Sequence, residues 1–267
     1  MIDKAYLGDG AVWAAEEAVD LNIKILVAMH KAAPVPKDNL YLPIQAGKYG
    51  KPALGCQGDD EGENISAKNP DYCELTALYW AWKNLQADYI GLVHYRRYFF
   101  GSGMDGEKQF AKIANAKDIE GLLGEADIVL PKKRHYYVES IYSHYAHAHR
   151  KSDLDLVGAI IKEKYPKYLP AFENLKKRKS AHMFNMLIMR QDILHEYCQW
   201  LFGVLFELEE RLGNKHEPRV FGFLSERLLD VWLETNNLQY VEQSLVNFGI
   251  ENIFVKGIKM LGRKIRS

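Results

Sequence analysis

Two short clusters of cationic and aromatic side chains each follow an apolar segment of the chain. His94, Arg96 and Arg97 end the first segment, and Lys132, Lys133 and Arg134 follow the second, which ends at Leu130. The planar fork of arginine binds a phosphate or a carboxylate through two hydrogen bonds. One cluster alone is also typical of a solvated loop or of a partner for residues 59–61, Asp-Asp-Glu. Two clusters with flanking aromatic rings favour a ligand that carries a diphosphate.

Apolar segments of the first half predict the elements that position these clusters. Residues 23–29, 88–95 and 126–130 read as buried strands, with loops and short strands between 31 and 69. Helices are expected over 70–85, with Asn69 as N-cap and Pro70 at the first position, and around 119–123. Alternating strands and helices predict an α/β fold with a mainly parallel sheet flanked by helices. Ligands of such sheets bind beyond the carboxyl ends of the strands, where both clusters lie, and we expect the two clusters to leave neighbouring strands.

The second half of the chain is predicted to be rich in helix. Periodic apolar residues indicate helices over 138–149, 153–164 (with Ser152 as N-cap), 170–177, 192–212 and 223–235, and strands over 182–189 and 238–246. We expect residues 1–21 to be an N-terminal extension, 22–248 to be one domain, and 249–267 to be a basic amphipathic tail. Such a tail packs on the domain or lies on a membrane surface.

Composition excludes several classes of protein. Apolar residues make up 48% and charged residues 26% of the 267 residues, as in ordinary folded domains. Lys plus Arg and Asp plus Glu number 35 each, so no overall field attracts nucleic acid. The three cysteines are widely spaced, which favours a reducing compartment over a disulfide scaffold. We find no signal peptide and no membrane-spanning segment, and therefore expect a cytoplasmic protein.

Common nucleotide and metal motifs are also missing from the sequence. There is no G-x-x-x-x-G-K-[ST], and no G-x-G-x-x-G directly follows one of the predicted strands, which argues against a P-loop or a dinucleotide site. Asp153-Leu-Asp155 has the spacing of a metal-diphosphate motif, but it opens a predicted helix, where acidic residues complement the helix dipole. We expect no cofactor and phosphates held by Arg and Lys, with Mn²⁺ or Mg²⁺ as the less favoured alternative.

Two glutamates are candidates for proton transfer. Glu226 is expected near the start of the helix 223–235, where an acid is also stabilised by the dipole alone. A carboxylate presented beyond the sheet can remove a proton from an acceptor hydroxyl. Glu74, with Thr76 on the predicted helix 70–85, is the alternative, although ribose binding suits it as well.

A group of histidines and tyrosines is a candidate acceptor wall. His144 and His147 share a helix face, while His149 is rotated away, and Tyr142 and Tyr145 are close to them in sequence. The spacing does not match the i, i+4 pair of helical zinc sites. Such a group is more often partly packed polar surface, but it can also bind a sugar.

Six motifs in a fixed order resemble one known family. They are NISAKNPDYCELTALYW (64–80), GLVHYRRYF (91–99), LPKKR (130–134), SHYAHAH (143–149), HMFNM (182–186) and RVFGFLSER (219–227). They resemble bacterial capsular and exopolysaccharide biosynthesis proteins classed as a domain of unknown function, some of them described as galactofuranosyltransferases. The resemblance covers about 22–246, and residues 1–21 do not resemble the family's usual start.

The resemblance implies a GT-A-like fold and transfer of a sugar. The donor would be a UDP-sugar, plausibly UDP-galactofuranose, and the acceptor a lipid-linked oligosaccharide. Within the motifs we assign Glu226 to catalysis, by an inverting reaction, and Tyr142, His144, His147, His149 and Asn185 to the acceptor. We assign to the donor Lys68, Asn69, Glu74, Thr76, His94, Arg96, Arg97, Lys132, Lys133 and Arg134.

Two other classes of function remain open at this point. A non-catalytic carbohydrate-binding or scaffold protein of the polysaccharide machinery would need the aromatic residues but neither a base nor a phosphate site. A phosphosugar or nucleotidyl transferase would release pyrophosphate or a sugar phosphate in place of UDP.

Overall fold

A computed structural model describes residues 21–104 and 108–248 of the chain. The expected extension, apart from Leu21, and the expected amphipathic tail at 249–267 lie outside the described residues. The strands are Ile23–Met29 (β1), Tyr41–Gln45 (β2), Gln57–Gly58 (β3), Tyr89–His94 (β4), Arg97–Phe99 (β5), Ile128–Pro131 (β6), Arg134–His135 (β7), Ser180–Ala181 (β8), Leu187–Arg190 (β9), Val241–Gln243 (β10) and Leu245–Asn247 (β11). The α-helices are Asn69–Tyr72 (α1), Leu75–Asn84 (α2), Ala116–Leu123 (α3), Ile141–Ala148 (α4), Lys151–Lys164 (α5), Leu169–Lys177 (α6), Gln191–Leu212 (α7) and Val220–Thr235 (α8).

The central sheet has the strand order β10-β6-β9-β4-β1-β2-β3. β1 pairs in parallel with β2 and β4, and β2 with β3, whereas β9 runs antiparallel between β4 and β6. β5 and β11 extend the sheet beside β4. The predicted α/β class, with a mainly parallel sheet flanked by helices and a helix-rich C-terminal half, is confirmed.

Each face of the sheet has its own core because side chains alternate along a strand. In β1, Leu26 and Ala28 belong to the core that also contains residues of α2 and of α4 to α8. Ile25 and Val27 point to the other face, where they pack with residues of β5 and α3. β1 is thus covered on both sides, which explains its continuous apolar sequence.

The helix predicted over 70–85 is broken. α1 ends at Tyr72, Cys73 adopts a left-handed backbone (φ 53°), and α2 begins at Leu75. Asn69 was predicted as the N-cap and is instead the first residue of α1; its side-chain nitrogen donates to the Cys73 carbonyl (2.7 Å). The break leaves Glu74 at the N-cap position of α2.

Other predicted boundaries also shift. The N-cap of α5 is Arg150 rather than Ser152, and α8 begins at Val220, so Glu226 lies in its second turn rather than at its start. The predicted strands 182–189 and 238–246 are replaced by shorter ones. The two cationic clusters were predicted to leave neighbouring strands; that was wrong, because β9 inserts between β4 and β6.

A buried histidine joins α8 to the β10 side of the sheet. His182 follows β8 and is enclosed, with Nδ1 2.5 Å from Asp230 Oδ1 and Nε2 2.9 Å from Glu242 Oε1. The His182 backbone N–H donates to the other Asp230 oxygen (2.9 Å). Buried polar groups need such partners, so this network fixes the position of α8 relative to the sheet.

Candidate functional site

A cavity of about 430 Å³ opens beyond the carboxyl ends of β1 and β4. The chain leaves β1 towards β2 on one side and returns to β4 on the other, so these two strands flank the point where the strand order reverses. Ligands of open α/β sheets bind at such a switch point. Met29 and His30 line the cavity at the end of β1, and His94 and Arg96 line it at the end of β4. Arg219, the residue before α8, completes this group.

Two arginines give this cavity a positive rim. Arg96 lies beside the Tyr95 ring (5.3 Å) and Arg219 beside the Phe223 ring (5.0 Å). Neither forms an ion pair with a carboxylate in the part of the chain that the structure describes. Arg219 is also the N-cap residue of α8, so the positive end of that helix faces the same side. Cations without a carboxylate partner beside a helix N-terminus favour binding of an anion such as a phosphate.

His30 and His94 form the floor between these arginines. Their ring centroids are 6.1 Å apart, and Tyr95 OH lies 3.4 Å from His30 Nε2. Burial, together with the charges of Arg96, Arg97 and Arg219, lowers the pKa of His94 to about 4. Burial and Arg96 lower the pKa of His30 as well. Both rings are therefore neutral hydrogen-bonding groups near pH 7, and the fixed charge of the cavity comes from the arginines.

The low pKa of His94 predicts an acid-sensitive fold. Between pH 6.5 and about 4 the unfolded chain binds a proton at this position that the folded chain does not. The free energy of unfolding should therefore fall as the pH falls through this range. An asparagine at this position can still accept a hydrogen bond from the Arg96 N–H, which lies 3.3 Å from the His94 ring in the native protein. We therefore expect the melting temperature of His94→Asn to fall less between pH 7 and pH 4.5 than that of the native protein. Equal losses in both proteins would contradict the assignment.

Two glutamates meet at a turn between β8 and β9. Phe184 (φ 84°) and Asn185 (φ 50°) both have left-handed backbones. The Phe184 N–H donates to Glu226 Oε1 (3.2 Å), and the Asn185 amide donates to Glu74 Oε1 (2.9 Å). Ser225 fixes the Asn185 amide by donating to its oxygen (2.7 Å). Two consecutive residues with strained backbones are typical of functional sites, where the surrounding structure holds the backbone in this conformation.

The two carboxylates differ in surroundings. Glu74 lines the cavity directly. Glu226 is not among the residues that line it; its side chain is 21% exposed, and its second oxygen lies 2.9 Å from Arg227 Nη1. Burial, aided by the charge of Glu74, raises the pKa of Glu226 against the opposing effects of Arg227 and the Phe184 N–H. A carboxylate with a raised pKa is a stronger base than an ordinary glutamate.

Cys73 lines the same cavity but does not have the properties of a nucleophile. Its Sγ accepts a hydrogen bond from Arg219 Nε (3.4 Å). Burial and the charge of Glu74 raise the pKa of this thiol to about 11. The thiolate is therefore scarce near neutral pH, and Cys73 serves to position Arg219.

The comparisons with known proteins identify the family. Residues 24–237 match the model of DUF4422, a domain of unknown function. The chain belongs to the DUF4422 family. No curated protein sequence matches it.

A solved structure resembles this DUF4422 protein over most of its length. It is described as the apo structure of WbbM, a bifunctional glycosyltransferase, with 32% sequence identity and a TM-score of 0.77. The match covers 85% of this chain and 45% of WbbM, so the chain spans a little under half the length of that protein.

The structure brings together only part of the predicted donor set. Asn69, Glu74, His94 and Arg96 line the cavity. Arg97 lies next to them, half-buried against the Phe184 ring (3.9 Å), and donates to Asn247 (2.9 Å).

The other predicted donor residues lie elsewhere. Lys68 pairs with Glu209 (2.6 Å), and Thr76 is fully buried with its hydroxyl donating to the Cys73 carbonyl (3.1 Å). Lys132 and Arg134 are exposed on the far side of β9. Lys133 donates to Tyr240 OH (2.8 Å) at a separate cavity of about 400 Å³.

The predicted acceptor wall is divided in the same way. The His149 ring stacks on Phe223 (4.3 Å), the ring that Arg219 also contacts, so His149 adjoins the cavity rim. The other three side chains have partners outside the cavity: Tyr142 donates to Asp155 (2.7 Å), the His144 ring packs against Tyr136 at a tilt (4.0 Å), and His147 lies 2.6 Å from Glu139. The amide of Asn185 is used to hold Glu74.

The Asp153-Leu-Asp155 motif is part of a helix start. Asp153 is buried and lies 3.8 Å from Arg150, and Asp155 accepts from Tyr142. Among the described residues, no group of three or more His, Cys, Asp or Glu side chains is placed to hold a metal ion. Metal independence stays a prediction.

Three cavity residues escaped the sequence analysis. His30 directly follows β1, so the rule that ligands bind beyond the carboxyl ends of strands selects it in the same way as it selects His94 at the end of β4. Arg219 opens one of the motifs, next to a predicted helix. Cys73 gave no signal, because its left-handed backbone depends on contacts with residues far along the chain.

Proposed function

We propose that this DUF4422 protein is a glycosyltransferase that binds a UDP-sugar in the cavity beyond β1 and β4. The observation that carries the proposal is an arginine-rimmed cavity at the switch point of the sheet, in a chain that resembles part of a bifunctional glycosyltransferase. The acceptor is a lipid-linked oligosaccharide of capsular or exopolysaccharide synthesis, and galactofuranose is the sugar that the family resemblance implies.

In this proposal the arginines replace a metal ion. Arg96 and Arg219 hold the diphosphate and stabilise the negative charge that develops on UDP as the sugar leaves. Each guanidinium lies beside an aromatic ring, and Arg219 also donates to Cys73, so both positive charges are at the cavity before a ligand binds. The neutral His30 and His94 offer hydrogen bonds to the phosphate or ribose.

Glu226 is the proposed general base. It removes the proton of the acceptor hydroxyl while Glu74 binds hydroxyl groups of the donor, and the reaction inverts the anomeric centre. The acceptor approaches along His149 and Phe223, whose stacked rings adjoin the cavity rim. Arg97 lies close enough to lower the repulsion between the two carboxylates.

A ligand titration tests the proposed donor. We expect UDP and at least one UDP-sugar to raise the melting temperature in the presence of EDTA, because a ligand that binds only the folded state stabilises it. ADP, which carries the same diphosphate on a different nucleobase, is the matched control for recognition of uracil. Stabilisation only with Mn²⁺ or Mg²⁺ would leave the transferase but contradict the metal-free site; no binding of any nucleotide would favour the non-catalytic carbohydrate-binding protein. Release of pyrophosphate or a sugar phosphate, instead of UDP, would indicate a nucleotidyl or phosphosugar transferase.

A further inference from the structure

A small two-stranded ribbon outside the central sheet presents apolar side chains to solvent. β7 and β8 pair antiparallel, and the chain after β7 carries Tyr137 and Val138, which are 82% and 85% exposed. These are the two most exposed large apolar side chains among the described residues. We refer to residues 132–138 and 177–181 as the β7–β8 ribbon.

The exposure results from a well-anchored backbone. Tyr136 packs against the main core and on the His144 ring (4.0 Å), and its N–H donates to the Lys179 carbonyl (2.8 Å). The next residue, Tyr137, has a left-handed backbone (φ 52°), which turns its side chain away from that core. A non-glycine residue in this conformation costs free energy, as does an exposed tyrosine beside an exposed valine.

The exposed apolar pair is surrounded by cations. Lys132, Arg134, Lys177 and Lys179 are all exposed, and none forms an ion pair with a carboxylate in the described ranges. Nearby acids are already paired: Glu139 with His147, Glu173 with Lys176, and Glu234 with Arg178. The ribbon therefore carries a net positive charge that is not neutralised locally, although the whole chain has a formal net charge of zero.

We propose that the β7–β8 ribbon docks on an anionic lipid surface. Tyrosine and valine insert at the level of the headgroups, while the surrounding cations attract the anionic phospholipids. Charge complementarity selects this partner over a second copy of the chain, since two copies would bring like charges together. The proposal depends on neither the nucleotide nor the transfer reaction.

The position of the ribbon agrees with this role. β6 runs in the same direction as β4, because both are antiparallel to β9. The ribbon follows the carboxyl end of β6 and thus leaves the sheet at the edge that holds the cavity. A membrane bound there lies on the side from which a lipid-linked acceptor can reach the site.

Vesicle flotation of the full chain tests the proposal. The probes are phosphatidylcholine vesicles and vesicles containing about a third phosphatidylglycerol, at about 0.1 M salt. We expect binding to the anionic vesicles only. Tyr137→Ser/Val138→Ser and Lys132→Glu/Lys179→Glu should each weaken it by about tenfold or more. The matched controls are Tyr49→Ser, at a tyrosine that is 65% exposed elsewhere, and Lys112→Glu/Lys117→Glu, which changes the net charge equally.

Several results would overturn the proposal. The native protein would fail to bind anionic vesicles, or would bind neutral vesicles equally well. Alternatively, the ribbon variants would bind like the native protein, which would place the contact on another part of the chain. Equal loss in the control variants would show a nonspecific charge effect. A doubled mass in solution that Tyr137→Ser/Val138→Ser abolishes would identify a second copy as the partner. Unchanged melting temperatures establish that each variant is folded.

Discussion

Glu226→Gln is expected to lower kcat by about 10²–10⁴-fold, the usual contribution of a general base, while UDP still binds. Burial raises the pKa of its carboxyl group, which accepts hydrogen bonds from the Phe184 N–H and Arg227. Glutamine has nearly the same shape as glutamate, but its amide does not accept a proton near neutral pH. Because Glu226 does not line the cavity, the melting-temperature increase with UDP should be close to that of the native protein.

Glu74→Gln is the matched comparison for this prediction. It removes the carboxylate that lines the cavity, so we expect weaker binding of the UDP-sugar and a smaller effect on turnover. If Glu74→Gln abolishes turnover and Glu226→Gln does not, the two roles are exchanged. Glutamine at 226 can accept from only one of its two present donors through its oxygen, so a loss of roughly 1 kcal/mol in stability is expected and should be measured alongside.

The strands of the first half were predictable because burial on both faces leaves a continuous apolar sequence. β1 and β4 are such strands, and their parallel direction agrees with the alternation of strands and helices. The rule that ligands bind at the carboxyl ends of strands then selects His94 and Arg96, and both residues line the cavity. These inferences depend on local sequence and on a general property of sheets.

The insertion of β9 between β4 and β6 was not predictable in this way. Strand order depends on which segment fills the gap in the sheet, and β9 comes from about sixty residues beyond β6 in the chain. Sequence proximity favoured β4 and β6 as neighbours. The insertion places β9 between the cavity and the strand that Lys132, Lys133 and Arg134 follow, while the β7–β8 ribbon still leaves the sheet at the edge that holds the cavity.

The break at Cys73 shows a second limit of the sequence. Residues 70–85 have a helical apolar pattern, and both α1 and α2 follow it. The break is stabilised by long-range contacts: Arg219 donates to the Cys73 sulfur and its backbone N–H donates to the Pro70 carbonyl (3.0 Å). Tertiary contacts of this kind override local propensity, and here they turn Glu74 towards the cavity.

Arg219→Ala and Arg96→Ala are each expected to weaken UDP binding by roughly 10- to 150-fold, the equivalent of about 1.5–3 kcal/mol for hydrogen bonds to a charged group. Both arginines lack a carboxylate partner among the described residues, so neither substitution leaves a buried acid unpaired. Calorimetric titration with UDP measures the change. Arg219→Lys retains the charge but not the planar fork or the ring contact with Phe223, and should recover only part of the affinity.

Lys68→Ala is the control for this prediction, because it removes a cation that does not line the cavity. Lys68 lies in the same motif as Asn69 and Glu74, but its ammonium group pairs with Glu209 outside the cavity, so UDP affinity should be unchanged. If Lys68→Ala or Lys133→Ala weakens UDP binding as much as Arg219→Ala does, the diphosphate lies elsewhere than beyond β1 and β4. If only the two arginine variants lose affinity, the phosphates are bound at the switch point of the sheet by side chains from β4 and from the start of α8.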